Sequence, residues 1–262
     1  MGDVTGRFAD IVSGPEEGLD LAEAALLIAA HAQPDLDVAA AIDRLDAIAA
    51  SCPEPTLDSL RLHLFSTLGF RANQENYADP RNSFLHEVLE RRVGIPITLS
   101  VVTMEVGRRV GVPIAGIGLP GHFLVKHEAV PPVLFDPFGG GRLVDVDDCR
   151  QLLREIYGDS VKLSPAMLAP VGPLTILSRM LANLKQVYLA AAELRDVEWV
   201  LRLRTIIPGA GPDEVTELAS TQAALGGFAE AATTLEQLGE QSTGATAAQA
   251  TAQARQLRAR LN

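Results

Sequence analysis

His122 and Asp136 stand fourteen positions apart, and their side chains form a complementary pair. A carboxylate beside an imidazole fixes the ring tautomer and favours the protonated form, which suits a general base and equally a receptor for an acyl or carboxylate group. Short apolar runs surround both residues. Phe123-Leu124-Val125 follows the histidine, and Val133-Leu134-Phe135 precedes the aspartate. Read as neighbouring antiparallel strands, one beginning at His122 and the other ending at Asp136, they bring the two side chains together.

Two helices must present this pair. Asp79 can cap the first with Pro80 at its opening position, and Phe84, Leu85, Val88 and Leu89 recur at helical spacing until Gly94 stops it. Pro96 suits the first turn of the second, and Leu99, Val102, Val106 and Val110 form a buried stripe up to Gly111. Ile97 then lies at a helix N-terminus. The runs Val112-Pro113-Ile114 and Ile117 to Leu119 read as further strands. The expected pocket joins His122 and Asp136 with Asn82, Pro96, Ile97, Gly121 and Phe123. Amide donors and an imidazole there would suit a carboxylate or amide group.

In this order the motifs resemble the transglutaminase-like superfamily, a papain-related fold using cysteine, histidine and aspartate. Gly111-Val112-Pro113, His122 and Asp136-Pro137 match its helix end and its two strands. The SirB-type branch is more similar still, through Asn82 to Leu85, Gly94 to Leu99, Pro120 to Val125 and Asp136 to Gly139. The resemblance implies an α+β fold: a helical N-terminal bundle, a papain/transglutaminase-like core with a small antiparallel sheet, and C-terminal helices. The family's helix length implies a nucleophile at Pro96 or within a residue of it, and that branch commonly carries proline there. The implied molecule is a pseudoenzyme.

A helix N-terminus and a nearby imidazolium stabilise a thiolate, whereas proline offers no nucleophile. Thr98 and Ser100 are the nearest hydroxyls, and Thr98 is the better placed because it falls in the first turn. An alcohol ionises far less readily than a thiol and needs a positioned base and an oxyanion hole. Cys52 lies in the break Ser51-Cys52-Pro53, and Cys149 follows Asp145, Asp147 and Asp148, whose charge discourages a thiolate. Both read as ordinary reduced thiols.

The chain's 262 residues suffice for one large domain or two smaller ones, and its 47% hydrophobic and 21% charged composition is that of a globular protein. Twenty-two basic residues against 33 acidic ones give a net charge of −11, which argues against a general nucleic-acid surface. Neither a membrane span nor a signal peptide is evident, so a cytoplasmic location is expected. No cofactor is expected. No metal site is expected either, since His63 and His86 sit in helical patterns, His86-Glu87 lacks a second histidine, and odd spacing puts His127 and His122 on opposite strand faces. Gly139-Gly140-Gly141 lacks the lysine of a phosphate loop and reads as a turn.

Residues 1–78 are expected to form a helical segment packed on the core, with helices over Leu19 to Ala32, Asp35 to Ala50 and Thr56 to Leu68. The core is expected over 79–163, closing with a helix from Asp145 to Tyr157. Ser164 to Gly172 reads as a linker. Over 173–262 the pattern is helical, and Leu194 with Phe228 and Val197 with Ala231 each stand 34 residues apart, the tetratricopeptide period. Tyr188 and Trp199 are expected in a groove or seam.

Two functional classes follow. One is a non-catalytic binding or regulatory protein that engages an unknown protein partner through its C-terminal helices, with neither nucleic acid nor membrane as partner. The other is an amide- or peptide-bond hydrolase or transferase using His122 and Asp136 with a hydroxyl or water nucleophile.

Overall fold

The computed structural model describes residues 4–261. An unexpected first helix, α1 (Val4–Ser13), buries Phe8 and Val12. The next three open on side-chain caps: α2 (Leu21–Ala32) on Asp20, α3 (Val38–Ala50) on Asp37 and α4 (Leu57–Arg61) on Thr56. Helix α4 continues as a π-helical turn over Leu62–Thr67. Leu60 and Leu64 are buried there, but Leu62 is 61% exposed, so the apolar face is narrower than the run of leucines indicated.

A two-residue parallel pair joins β1 (Arg71–Ala72) to β2 (Val93–Gly94). The single helix expected from Asp79 is split. Asp79 caps a 3-10 turn over Pro80–Ser83, Phe84 is extended, and α5 (Leu85–Arg91) starts afresh. It stops at Arg92, with φ 57, and not at Gly94. Gly94 serves close packing instead, because a Cβ there would lie 2.9 Å from Thr98 Oγ1. Helix α6 (Pro96–Val110) begins at Pro96 and ends on Gly111 as its sequence predicts, and most of its surface is buried.

Strands β3 (Ile114–Ile117), β4 (Leu124–His127), β5 (Val133–Asp136) and β6 (Arg142–Val144) form an antiparallel meander. Two expectations need correction. The Ile117 to Leu119 run forms no second strand, because Leu119 N turns back to Ile117 O at 3.0 Å. His122 lies in the turn before β4 and does not open the strand. After α7 (Val146–Tyr157), capped by Asp145, the presumed linker contains a 3-10 turn over Pro165–Leu168 and strand β7 (Pro170–Val171). That strand pairs with β3 at the sheet edge, where proline is tolerated. Ile117, Leu119, Leu124, Val144, Cys149 and Leu153 close the core between sheet and α7.

Glu16–Met180 form one compact unit, which includes the start of α8 (Pro173–Ala190). The other combines the segment up to Pro15 with everything from Leu181 onward. In it α9 (Leu194–Ile206), α10 (Pro212–Ala224), α11 (Phe228–Gln241) and α12 (Gly244–Ala259) pack in succession, and α1 meets α9. Leu194 and Phe228 each open a helix, and Val197 and Ala231 are both buried. Tyr188 packs edge-on to Trp199, ring centres 6.0 Å apart. No described helix is long and apolar enough to cross a membrane.

Gly141 ties the sheet to α4. It has φ 76, a Cβ there would overlap the Phe65 ring, and its N–H donates to Asp136 O at 2.8 Å. Gly141→Ala should therefore cost about 2–4 kcal/mol in urea unfolding, from left-handed strain plus overpacking.

Candidate functional site

The turn carrying His122 closes through His122 N donating to Leu119 O at 3.1 Å, with Gly121 at φ 69. Gly121 has no room for a side chain. A Cβ there would stand 2.9 Å from Ile156 Cγ2 and 3.1 Å from Tyr157 Oη. Across the sheet, Asp136 ends β5 with its Oδ2 3.1 Å from His122 Nε2, while its Oδ1 accepts from Phe138 N at 2.9 Å. Both side chains are buried. The carboxylate favours a proton on Nε2, and Nδ1 is left without a hydrogen bond to the described residues. Phe138 meets the imidazole edge-on at 5.9 Å, and Tyr77 packs on Phe138 at 6.2 Å.

Two arginines distant in sequence hold this pair. Arg179 Nη2, from the start of α8, donates to Leu119 O at 2.9 Å and His122 O at 2.8 Å, and its guanidinium lies 5.1 Å from the Phe123 ring centre. Burial pushes Arg179 below the usual guanidinium value. Arg61 Nε, from α4, donates to Gly141 O at 2.7 Å, with its guanidinium 6.0 Å from the Phe135 ring centre. Sequence reasoning missed both residues. The available signal for Arg179 was a lone cation among Ile176, Leu177 and Met180, all fully buried.

Residues 29–182, more than half the chain, match the profile of the transglutaminase-like superfamily. The chain belongs to the transglutaminase-like superfamily. A UPF0162 protein of Xylella fastidiosa is 41% identical over 187 residues, 66% of each chain. Another from Pseudomonas aeruginosa is 38% identical over 197 residues, 70% of this chain and 72% of its own. F-box only protein 21 of Mus musculus is 30% identical over 137 residues, 49% of this chain and 21% of its own. The chain spans about two thirds of the length of the first of these relatives, 66%. No solved structure matches it.

Arg61, Asn82, His122, Asp136 and Arg179 all fall within the transglutaminase-like match. Asn82 is fully buried and organises the approach. Its Nδ2 donates to Asn76 O at 2.8 Å, its Oδ1 accepts from Asn73 Nδ2 at 3.0 Å, and its carbonyl accepts from Thr98 Oγ1 at 2.7 Å. The start of α6 is thereby tied to the connection bearing Tyr77. Pro96 and Ile97 are buried at that helix start, where the Ile95 side chain offers no cap. Phe123 is buried against Gly116 and Arg179, while Gly121 is exposed.

Neither Thr98 nor Ser100 bonds to His122. Besides its bond to Asn82 O, Thr98 Oγ1 accepts from Ile95 N at 3.2 Å, and Ser100 Oγ donates to Pro96 O at 2.8 Å. Both side chains are inaccessible. His63 Nε2 meets Ile48 O at 3.0 Å and Ser51 Oγ at 3.2 Å, and His86 Nε2 meets Gln33 Oε1 at 2.7 Å. Burial lowers the His86 pKa. No group of three His, Cys, Asp or Glu among the described residues is arranged to hold a metal.

Removing the guanidinium while keeping an apolar side chain, Arg179→Met should cost about 2–3 kcal/mol in urea unfolding and shift the His122 ring resonances. Unchanged ring resonances would separate Arg179 from the site.

Cys149 is sealed in the core, where burial first, then Asp148, Asp145 and Asp136, push its thiol above the usual value. Cys52 is half-buried, with Sγ 3.5 Å from Glu54 O. A raised thiol pKa means less thiolate at any given pH, so at about pH 8 a disulfide reagent should label Cys52 first. Cys149 should follow only as the protein unfolds, and equal labelling rates would contradict this burial.

Proposed function

We propose that this transglutaminase-like protein is a binding module, in which the His122–Asp136 pair receives a carboxylate or amide group through the free Nδ1 edge of the imidazole. One observation carries this reading: no nucleophilic side chain among the described residues is bonded to the pair. Helix α6 opens with proline where the family resemblance implies the nucleophile. The hydroxyls of Thr98 and Ser100 donate to main-chain carbonyls, and Cys149 is sealed in the core. With Nε2 held 3.1 Å from the Asp136 carboxylate, Nδ1 is the ring atom open to a ligand: it accepts from an amide N–H, or donates to a carboxylate if the ring carries both protons, and a hydrogen bond to a charged group contributes about 1.5–3 kcal/mol.

The helical unit supports the same class of function. Its helices open at positions related by 34 residues and pack each on the next, as in a tetratricopeptide-like array that offers a face to a protein partner. The alternative of an amide hydrolase draws on the same buried pair, with a water in place of the absent nucleophile.

The test is NMR titration of the His122 ring with a short peptide ending in glutamine and a free carboxylate. Saturable shifts are expected, with affinity about tenfold or more weaker in His122→Ala, the equivalent of at least 1.4 kcal/mol. Ammonia release or peptide cleavage that disappears in folded His122→Ala would replace binding with catalysis.

A further inference from the structure

At the end of α7 a cleft of about 350 Å³ is lined by Arg150, Arg154, Lys162 and Asp159, with Val161 and Leu163 as apolar walls. Three cations against one carboxylate stand out in a chain of net charge −11. Their charge is largely free. Among the described residues Arg154 bonds, through Nε and Nη2, only to the neutral Gln151 Oε1, at 3.3 and 2.8 Å. Lys162 has no ion pair among the described residues, and Arg150 pairs with Asp147, which is itself 84% exposed. The α7 dipole accounts for Arg154 in the last turn, but Arg150 lies a turn earlier and Lys162 beyond the helix.

One side chain links this cleft to the turn that carries His122. Gly158 in its lining follows Tyr157, whose hydroxyl closes on Gly121 beside His122. Ile156 and Tyr157 stand 44% and 40% exposed at this junction and give it an apolar surface.

We propose that one acidic polypeptide segment occupies both places. Its Asp or Glu side chains enter the cleft against Arg154 and Lys162, an apolar neighbour rests on Ile156 and Tyr157, and its amide or carboxylate reaches His122. Guanidinium suits carboxylate through paired N–H donors, and the ammonium adds a point charge. A phosphate ion could fill the cleft but would leave the apolar junction uncovered. The proposal rests on the reading of His122 as a binding site.

The test is fluorescence anisotropy with full-length protein and a labelled peptide alternating glutamate and leucine and ending in glutamine, beside a control with lysine for glutamate. The acidic peptide should bind preferentially, lose affinity as salt rises, and bind about tenfold or more weakly to the double variant Arg154→Glu, Lys162→Glu. Both substituted residues are exposed, and circular dichroism checks that the variant stays folded. Equal binding of the lysine peptide, or undiminished binding by the double variant, overturns the proposal. So does inorganic phosphate binding while the acidic peptide does not. Weakening by the double variant but not by His122→Ala keeps the acidic-peptide cleft and removes the His122 reading.

Discussion

The hydrogen bond from His122 Nε2 to Asp136 Oδ2 depends on strand register. Val125 lies opposite Phe135 in the β4–β5 ladder, and from that pairing the turn before β4 and the end of β5 meet at one edge of the sheet. A slip of one residue would turn every side chain of either strand to the other face, sending Phe135 out of the core and Asp136 away from the imidazole. Burial of Leu124, Val125 and Phe135 makes such a slip costly. Core packing and site geometry are thus one constraint.

The polar ends of these strands need partners that the sheet cannot supply. Arg179 provides one donor group for two carbonyls of the His122 turn, and Arg61 provides another for the Gly141 turn after Asp136. Each guanidinium also lies over a buried phenylalanine, so its desolvation is offset by hydrogen bonds and ring contact together. Such clamps hold the two ends of the pair in one orientation.

In this transglutaminase-like frame the hydroxyls of Thr98 and Ser100 are committed to main-chain hydrogen bonds, and the proposed binding role rests on that observation. Asn82 reinforces that arrangement by linking the start of α6 to the connection that carries Tyr77, and Tyr77 returns to Phe138 beside the imidazole. Three cations line the cleft at the end of α7, in a chain otherwise strongly acidic.

Local signals read correctly were the ones decided locally. Thr56 and Asp145 cap helices where the sequence starts them, Pro96 and Gly111 bound α6, and the short apolar runs became the meander. The split at Phe84, the helix over Val4–Ser13 and the pairing of Pro170–Val171 with β3 escaped sequence reading, because each depends on surfaces supplied by distant segments. By itself the sequence determined the order of helices and strands and the presence of a histidine and an aspartate able to pair. Only the tertiary structure decided that Arg61 and Arg179 hold that pair and that Thr98 and Ser100 face main-chain carbonyls. Those contacts join residues far apart along the chain, and no local periodicity encodes them.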